Sequence, residues 1–253
     1  MDLGLAGKRA IITGGTRGIG REIVDLLVAE GCAVGLCARD AAQVDEAVSA
    51  ISAAGGTAIG GAVDVTDGDG LRGWIKQTAE GLGGLDILVP NASALVGSAS
   101  EADWRLGLEV DVLGTVRAVE AALPFLEKSA AASIVAISST AAVNISGGVR
   151  AYAGHKAAII SYLSGLSTNL GDKGIRANTV SPGAIFFEGG VWDIRKRETP
   201  EVYANAVARS PMGRLGTPQE VANAVVFLAS PAASYISGTN LIVDGAATTR
   251  IQY

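Results

Sequence analysis

Arg9-Ala-Ile-Ile-Thr-Gly-Gly-Thr-Arg-Gly-Ile-Gly20 runs from a short apolar segment through a glycine-rich turn into a helical pattern carried by Ile23, Leu26 and Leu27. Gly14, Gly18 and Gly20 allow a tight turn, close approach of a diphosphate, and near contact between helix and strand. The helix start offers unpaired N–H groups and the positive end of its dipole to that diphosphate. Glycine-rich turns are common by themselves. Placed between a strand and a helix, this one reads as the first unit of a nucleotide-binding fold.

Outward from that unit the alternation continues. Strand-like segments are expected at 33–37, 57–63, 85–89, 133–137, 175–180 and 240–243, with helices at 41–54, 67–81, 102–126, 151–170 and 218–229. The strands are apolar runs, as expected when both faces are covered. Strand–helix alternation over the whole length predicts one α/β domain, a doubly wound parallel sheet of seven strands with helices on both faces. No linker or repeat divides residues 1–253. Residues 184–210 break the pattern, mixing Phe186, Phe187 and Trp192 with Arg195-Lys-Arg197. They follow a strand end, where open α/β sheets bind ligands, so a substrate lid is expected there. The charge run itself reads as a solvated face.

Composition sets the outer limits. Of 253 residues 49% are hydrophobic and 18% charged, which excludes a disordered chain. A net charge of −5 argues against a nucleic-acid binder. Cys32 and Cys37 read as small buried hydrophobes of a reducing compartment, and no Cys/His cluster suggests a metal. The uncharged stretch 129–149 is interrupted by Ser138, Ser139, Thr140 and Asn144, so no membrane span is expected. A cytoplasmic protein follows as the expectation.

Further along the chain the residues bear on cofactor and chemistry. About 20 positions beyond the glycine turn, an acidic side chain would hold the ribose hydroxyls of NAD. Here stand Ala38 and Arg39, and Arg17 lies in the turn itself. Two guanidinium groups suit a 2′-phosphate, so NADP is favoured, with NAD(H) possible. Asp40 leaves an alternative open, since it could pair with Arg39 or reach a ribose. Tyr152 and Lys156 stand at i and i+4 on one helix face. An ammonium ~4 Å from a phenol interacts with its anion by about 4 kcal/mol at an effective dielectric of ~20. That draws a tyrosine, ordinarily near ~10, toward neutrality. Ser139, after the apolar Ile134-Val-Ala-Ile137, can donate to a carbonyl oxygen while Tyr152 transfers a proton. His155 reads as a helix-surface or interface residue.

Taken in order, Thr13-Gly-x-x-x-Gly-Ile-Gly20, Asp64-Val65, Asn91-Ala92, Ser139, Tyr152/Lys156, Ser181-Pro-Gly183, Arg214 to Ala222 and Ser237 to Gly245 resemble the short-chain dehydrogenase/reductase family over essentially the whole chain. Its 3-oxoacyl-[acyl-carrier-protein] reductase-like members are similar. The resemblance implies a Rossmann fold and hydride transfer between a nicotinamide cofactor and a carbonyl or secondary alcohol. It implies that Tyr152 is the acid/base, Ser139 the polarising hydroxyl, and Lys156 the ribose-binding cation. Gly14, Thr16, Arg17, Gly18, Ile19, Gly20 and Arg39 would hold the diphosphate and adenosine side, with Asp64 and Val65 at the adenine. Asn91, Ala92, Pro182, Gly183 and Ile185 would flank the nicotinamide and its ribose.

Three departures from the family pattern stand out, one being Phe186 where a threonine is usual after Pro-Gly-x-Ile. Ser93 replaces a glycine near the site, and Asp111 replaces a catalytic asparagine. The resemblance places a relay water on the backbone carbonyl at 111, chemistry that survives the change of side chain. A buried carboxylate near Lys156 would still alter the local charge balance. The departures at Ser93 and Asp111 leave a second reading, a non-catalytic NADP-binding sensor or scaffold. Substrate walls are expected at 93–96, 140–145 and 186–192, fitting a hydrophobic ketone or a 3-oxoacyl thioester. A homotetramer is implied, with helices 102–126 and 151–170 in its interfaces.

Overall fold

Ile11 and Ile12, adjacent in the first strand, face opposite sides of the sheet and enter two different cores, because side chains alternate along a strand. A computed structural model describes residues 2–144 and 148–249. Its chain runs β1 (Arg9–Thr13), α1 (Gly18–Ala29), β2 (Ala33–Ala38), α2 (Ala41–Ala53), β3 (Ala58–Ala62), α3 (Gly68–Gly81) and β4 (Ile87–Val89). Then follow α4 (Glu101–Gly107), a π-helical segment (Leu108–Leu113), α5 (Gly114–Leu126), β5 (Ser133–Ile137), α6 (Ala151–Asn169) and β6 (Arg176–Pro182). The chain closes with α7 (Val191–Glu198), α8 (Pro200–Arg209), α9 (Pro218–Ala229) and β7 (Asn240–Val243). The seven strands lie in the order β3-β2-β1-β4-β5-β6-β7, all parallel.

That arrangement matches the expected doubly wound sheet. One face buries Ile12, Ile23, Leu27 and Leu36 against Val221 and Val225 of α9. The other buries Ile11, Leu71, Ile75 and Leu88 with Ile159 and Leu163 of α6. Side-chain caps fix several helix starts: Asp40 accepts from the backbone of Ala42 and Gln43, and Thr217 with Glu220 forms a reciprocal capping box on α9. Among the described residues no helix is long and apolar enough to cross a membrane.

Two segments depart from the expectation. The helix expected over 102–126 is broken: Leu108–Leu113 widens into a π-helical turn between α4 and α5. The wider turn carries Asp111 inward, where it is 1% exposed. Residues 184–210, expected as an irregular lid, form the short helices α7 and α8.

Because every strand points the same way, the residues that follow them share one edge of the sheet. The chain reverses its winding where β1 lies beside β4, and a crevice opens at such a switch point.

Candidate active site

The glycine turn leaves β1 at this switch point. Gly14 takes φ +68, a left-handed conformation that side chains disfavour. Gly20 lies so close to the turn that a Cβ there would run into the Gly14 carbonyl oxygen. Asn91 ties the two strand ends together, its Nδ2 donating to the carbonyls of Thr13 and Gly14, both at 2.9 Å. The backbone N–H groups of Asn91 and Ala92 donate in turn to Thr13 Oγ1 at 3.0 and 3.1 Å. Thr16 donates to Gln43 of α2, and Ile19 packs on the core. The turn is therefore a fixed cradle, and α1 begins above it at Arg17 without a side-chain cap.

Arg17 and Arg39 are both exposed and make no ion pair among the described residues. Asp40 does not pair with Arg39. Its carboxylate is committed to the α2 cap, at 3.0 Å from Ala42 N, 3.3 Å from Gln43 N and 3.2 Å from Gln43 Nε2. Asp64, beyond β3, accepts from Thr66 N at 2.9 Å and Thr66 Oγ1 at 2.8 Å. Those bonds, with the Arg39 charge nearby, hold its carboxyl below the usual carboxylate range. Val65 beside it is buried against Gly114. A glycine cradle, a free helix start, the exposed Arg17 in the turn and the Arg39 charge near Asp64 fit an adenine dinucleotide, with room in charge for a phosphate on the ribose.

The residues expected to carry the chemistry lie between β5 and α6. Ser138 Oγ donates to the Lys156 carbonyl at 2.8 Å, and Lys156 Nζ donates to the Ile137 carbonyl at 3.0 Å. These two bonds lace the strand end to the helix that carries Tyr152. Lys156 Nζ lies 5.7 Å from the centre of the Tyr152 ring. Ser139 Oγ accepts from Ala141 N at 3.1 Å, leaving its own proton to donate elsewhere. Lys156 is 2% exposed, and its Nζ sits 3.0 Å from Asp111 Oδ1. The resemblance placed the relay on the Asp111 carbonyl. That carbonyl accepts from Thr115 Oγ1 at 2.7 Å, which leaves it a second lone pair, and the carboxylate reaches the lysine directly.

On the opposite wall β6 ends at Pro182, and Gly183 N donates to Val243 O at 2.9 Å. Any Cβ at Gly183 would press on Asp244 at 2.6 Å. Ile185 is buried and bridges to Gly216. Phe187 lays its ring over the glycine turn, 2.6 Å from where a Gly18 Cβ would stand. The charge run of α7 is not simply solvated. Arg195 lies 4.6 Å above the Trp192 ring, and Lys196 faces both Phe186 and Tyr203 at 5.3 and 5.7 Å.

His155 departs from its expected surface position. It is 3% exposed, edge-on to Trp104 at 4.9 Å, and neither ring nitrogen has a partner among the described residues. Packing decides this, since α4 crosses α6 at Gly107 and Gly154. Cys32 and Cys37 are buried thiols, both pushed up to about 12 by desolvation. Among the described residues no metal-binding cluster occurs. Ile145, expected in a substrate wall, lies outside the described residues. Sequence reading missed the roles of Ser138 and Phe187, which rest on contacts between distant segments. Asp40 as a cap was readable locally, since Asp directly before a helical run is a preferred N-cap.

Comparison with known proteins agrees with this geometry. A family model described as "Enoyl-(Acyl carrier protein) reductase" matches residues 14–248. The chain is 41% identical over 247 residues to isoepoxydon dehydrogenase of Penicillium expansum, covering 96% of this chain and 95% of that one. It superposes with TM-score 0.91 and 34% identity on a 7α-hydroxysteroid dehydrogenase complexed with NADH and 7-oxo glycochenodeoxycholic acid, covering 99% and 98% of the two chains. A short-chain dehydrogenase from Burkholderia cenocepacia in complex with NADP gives 0.85 and 33%, covering 96% and 98%. The chain belongs to the short-chain dehydrogenase/reductase family. It is an oxidoreductase of CH–OH and C=O groups.

Proposed function

We propose that the protein is an NADP-preferring oxidoreductase that moves a hydride between the nicotinamide and a hydrophobic ketone or secondary alcohol. The observation that carries this reading is the lacing of β5 to α6 through Ser138 and Lys156, beside Ser139 and Tyr152. When bound, the cofactor supplies or accepts the hydride. Gly14, Gly18 and Gly20 would cradle its diphosphate with Thr16 and Ile19, and Asp64 and Val65 would take its adenine. Asn91, Ala92, Pro182, Gly183 and Ile185 line the nicotinamide end. Arg17 and Arg39 favour NADP, because neither forms an ion pair among the described residues and Asp40 is held in a cap.

In the reducing direction Ser139 donates its free proton to the carbonyl oxygen and fixes its position. Tyr152 gives that oxygen a proton as it becomes an alcohol. Lys156, held by the Ile137 carbonyl and by Asp111, restores the phenol. Phe186, Phe187 and Trp192 supply an aromatic wall, with residues 184–210 as the lid over the site. The names of the relatives, one solved with a 7-oxo bile acid, support a ketone of this kind. A homotetramer is the assembly proposed, since Trp104, Leu106 and Leu108 leave an apolar face 40–49% exposed around α4. A monomer in light scattering at micromolar concentration would contradict it.

The test is cofactor oxidation, NADPH and NADH in parallel, against hydrophobic ketones, 3-oxoacyl thioesters and quinones. Turnover of ketones with NADPH is expected. Turnover only with NADH would overturn the cofactor preference, and turnover only of thioesters the substrate class.

A further inference from the structure

Ser93 and Asp111, both departures from the family pattern, are hydrogen-bonded to each other. Ser93 Oγ donates to Asp111 Oδ1 at 2.6 Å, the same oxygen that lies 3.0 Å from Lys156 Nζ. Ala94 N donates to Oδ2 at 2.9 Å, so both carboxylate oxygens are engaged. The anchoring bends the following residue. Leu95 takes φ +51, and its N–H returns to Ser93 Oγ at 3.3 Å. A non-glycine residue in that conformation costs about 1–2 kcal/mol and persists only where its surroundings hold it.

We propose that Ser93 and Asp111 work as one positioning pair through which Lys156 exchanges its proton with solvent. Lys156 and Asp111 are 2% and 1% exposed. Among the described residues the ammonium has two polar partners, the Ile137 carbonyl and the Asp111 carboxylate. A backbone carbonyl does not pass a proton on; a carboxylate does. Ser93 is only half-buried and sits in the loop at the rim, so it joins the buried pair to water. After one carbonyl has been reduced, Lys156 has given up one proton toward Tyr152. The Ser93 O–H bond breaks as its proton moves to Asp111 Oδ1, and that proton then passes to Nζ, restoring both the carboxylate and the ammonium. A water O–H bond breaks as a new one forms on Ser93, and the hydroxide so formed leaves to solvent. One proton enters from solvent and no electrons move.

The inference rests on the oxidoreductase reading, and the experiment separates the two. Steady-state ketone reduction at saturating NADPH is measured in light and heavy water for wild type, Ser93→Ala and Ser93→Thr, with NADPH affinity and thermal midpoint alongside. In Ser93→Ala, kcat is expected to fall about tenfold. Its solvent isotope effect should rise, with NADPH affinity unchanged, and Ser93→Thr, which keeps the hydroxyl, should restore both. Wild-type kcat and isotope effect in Ser93→Ala would overturn the pair. So would a fall in kcat that follows cofactor affinity and thermal midpoint with the isotope effect unmoved, since that is a loosened loop. A Tyr152→Phe enzyme that still turns over would overturn the underlying reading instead.

Discussion

On the proposed reading, single side chains set the preference between the two dinucleotides. Arg17 and Arg39, proposed for the adenosine end, are exposed and form no ion pair among the described residues. An arginine–phosphate contact is charge-assisted and worth about 1.5–3 kcal/mol. Arg39→Ala is therefore expected to weaken NADPH binding roughly tenfold to hundredfold while leaving NADH nearly unchanged, as read by titration of each cofactor. Equal losses for both would mean that Arg39 touches no 2′-phosphate. Much of this was legible in the sequence. Arg39 beyond the second strand and Arg17 in the turn were visible, and so were Tyr152, Lys156 and Ser139. The Ser93–Asp111 bond was not. The two residues lie 18 positions apart, and only the inward swing of Asp111 on a widened helical turn brings them together.

At the scale of elements, α6 carries Tyr152 and Lys156, proposed for the chemistry, and its seating is set by two glycines. α4 comes so near that a Cβ on Gly107 would collide with the His155 ring, and one on Gly154 with the Trp104 ring. His155 is 3% exposed, so its ring has little freedom to yield. Gly107→Ala is expected to destabilise the protein by about 1–3 kcal/mol through overpacking, measured by urea unfolding. Wild-type stability would show that the crossing relaxes at no cost. Strand and helix order was readable because buried parallel strands are apolar runs and helices carry their own period. The π-helical segment had no such signature. Its residues 108–113 continue a helical pattern, and the widening answers tertiary demands on Asp111, including its bonds to Ser93 and Lys156.

Across the whole molecule the two edges of the sheet do different work. The C-terminal edge carries the cradle and the reacting groups. At the N-terminal edge Asp86, 2% exposed, joins Arg9 at the start of β1 to Ser129 ahead of β5. Burial pushes the Asp86 carboxyl up, but its bonds from Arg9 and Ser129 outweigh that and hold it below the usual range. A carboxylate depressed in the folded state stabilises above its unfolded value of ~3.9, and the contribution fades as pH falls through the folded value. Asp86→Asn is expected to cost about 2 kcal/mol near neutral pH. The gap to wild type should close below pH ~4 as Asp86 takes up its proton, checked by urea unfolding across pH. A gap that stays constant into acid would mean that the charge on Asp86 plays no part.

Hydride transfer is assigned to a site built on Ser139, Tyr152 and Lys156, and turnover of Tyr152→Phe decides whether that assignment holds. The substitution removes one oxygen, the one that would carry the proton. Ketone reduction is expected to drop by about 10²–10⁴, with NADPH binding close to that of wild type. Undiminished turnover in that variant would contradict the assignment of Tyr152 and the mechanism built on it.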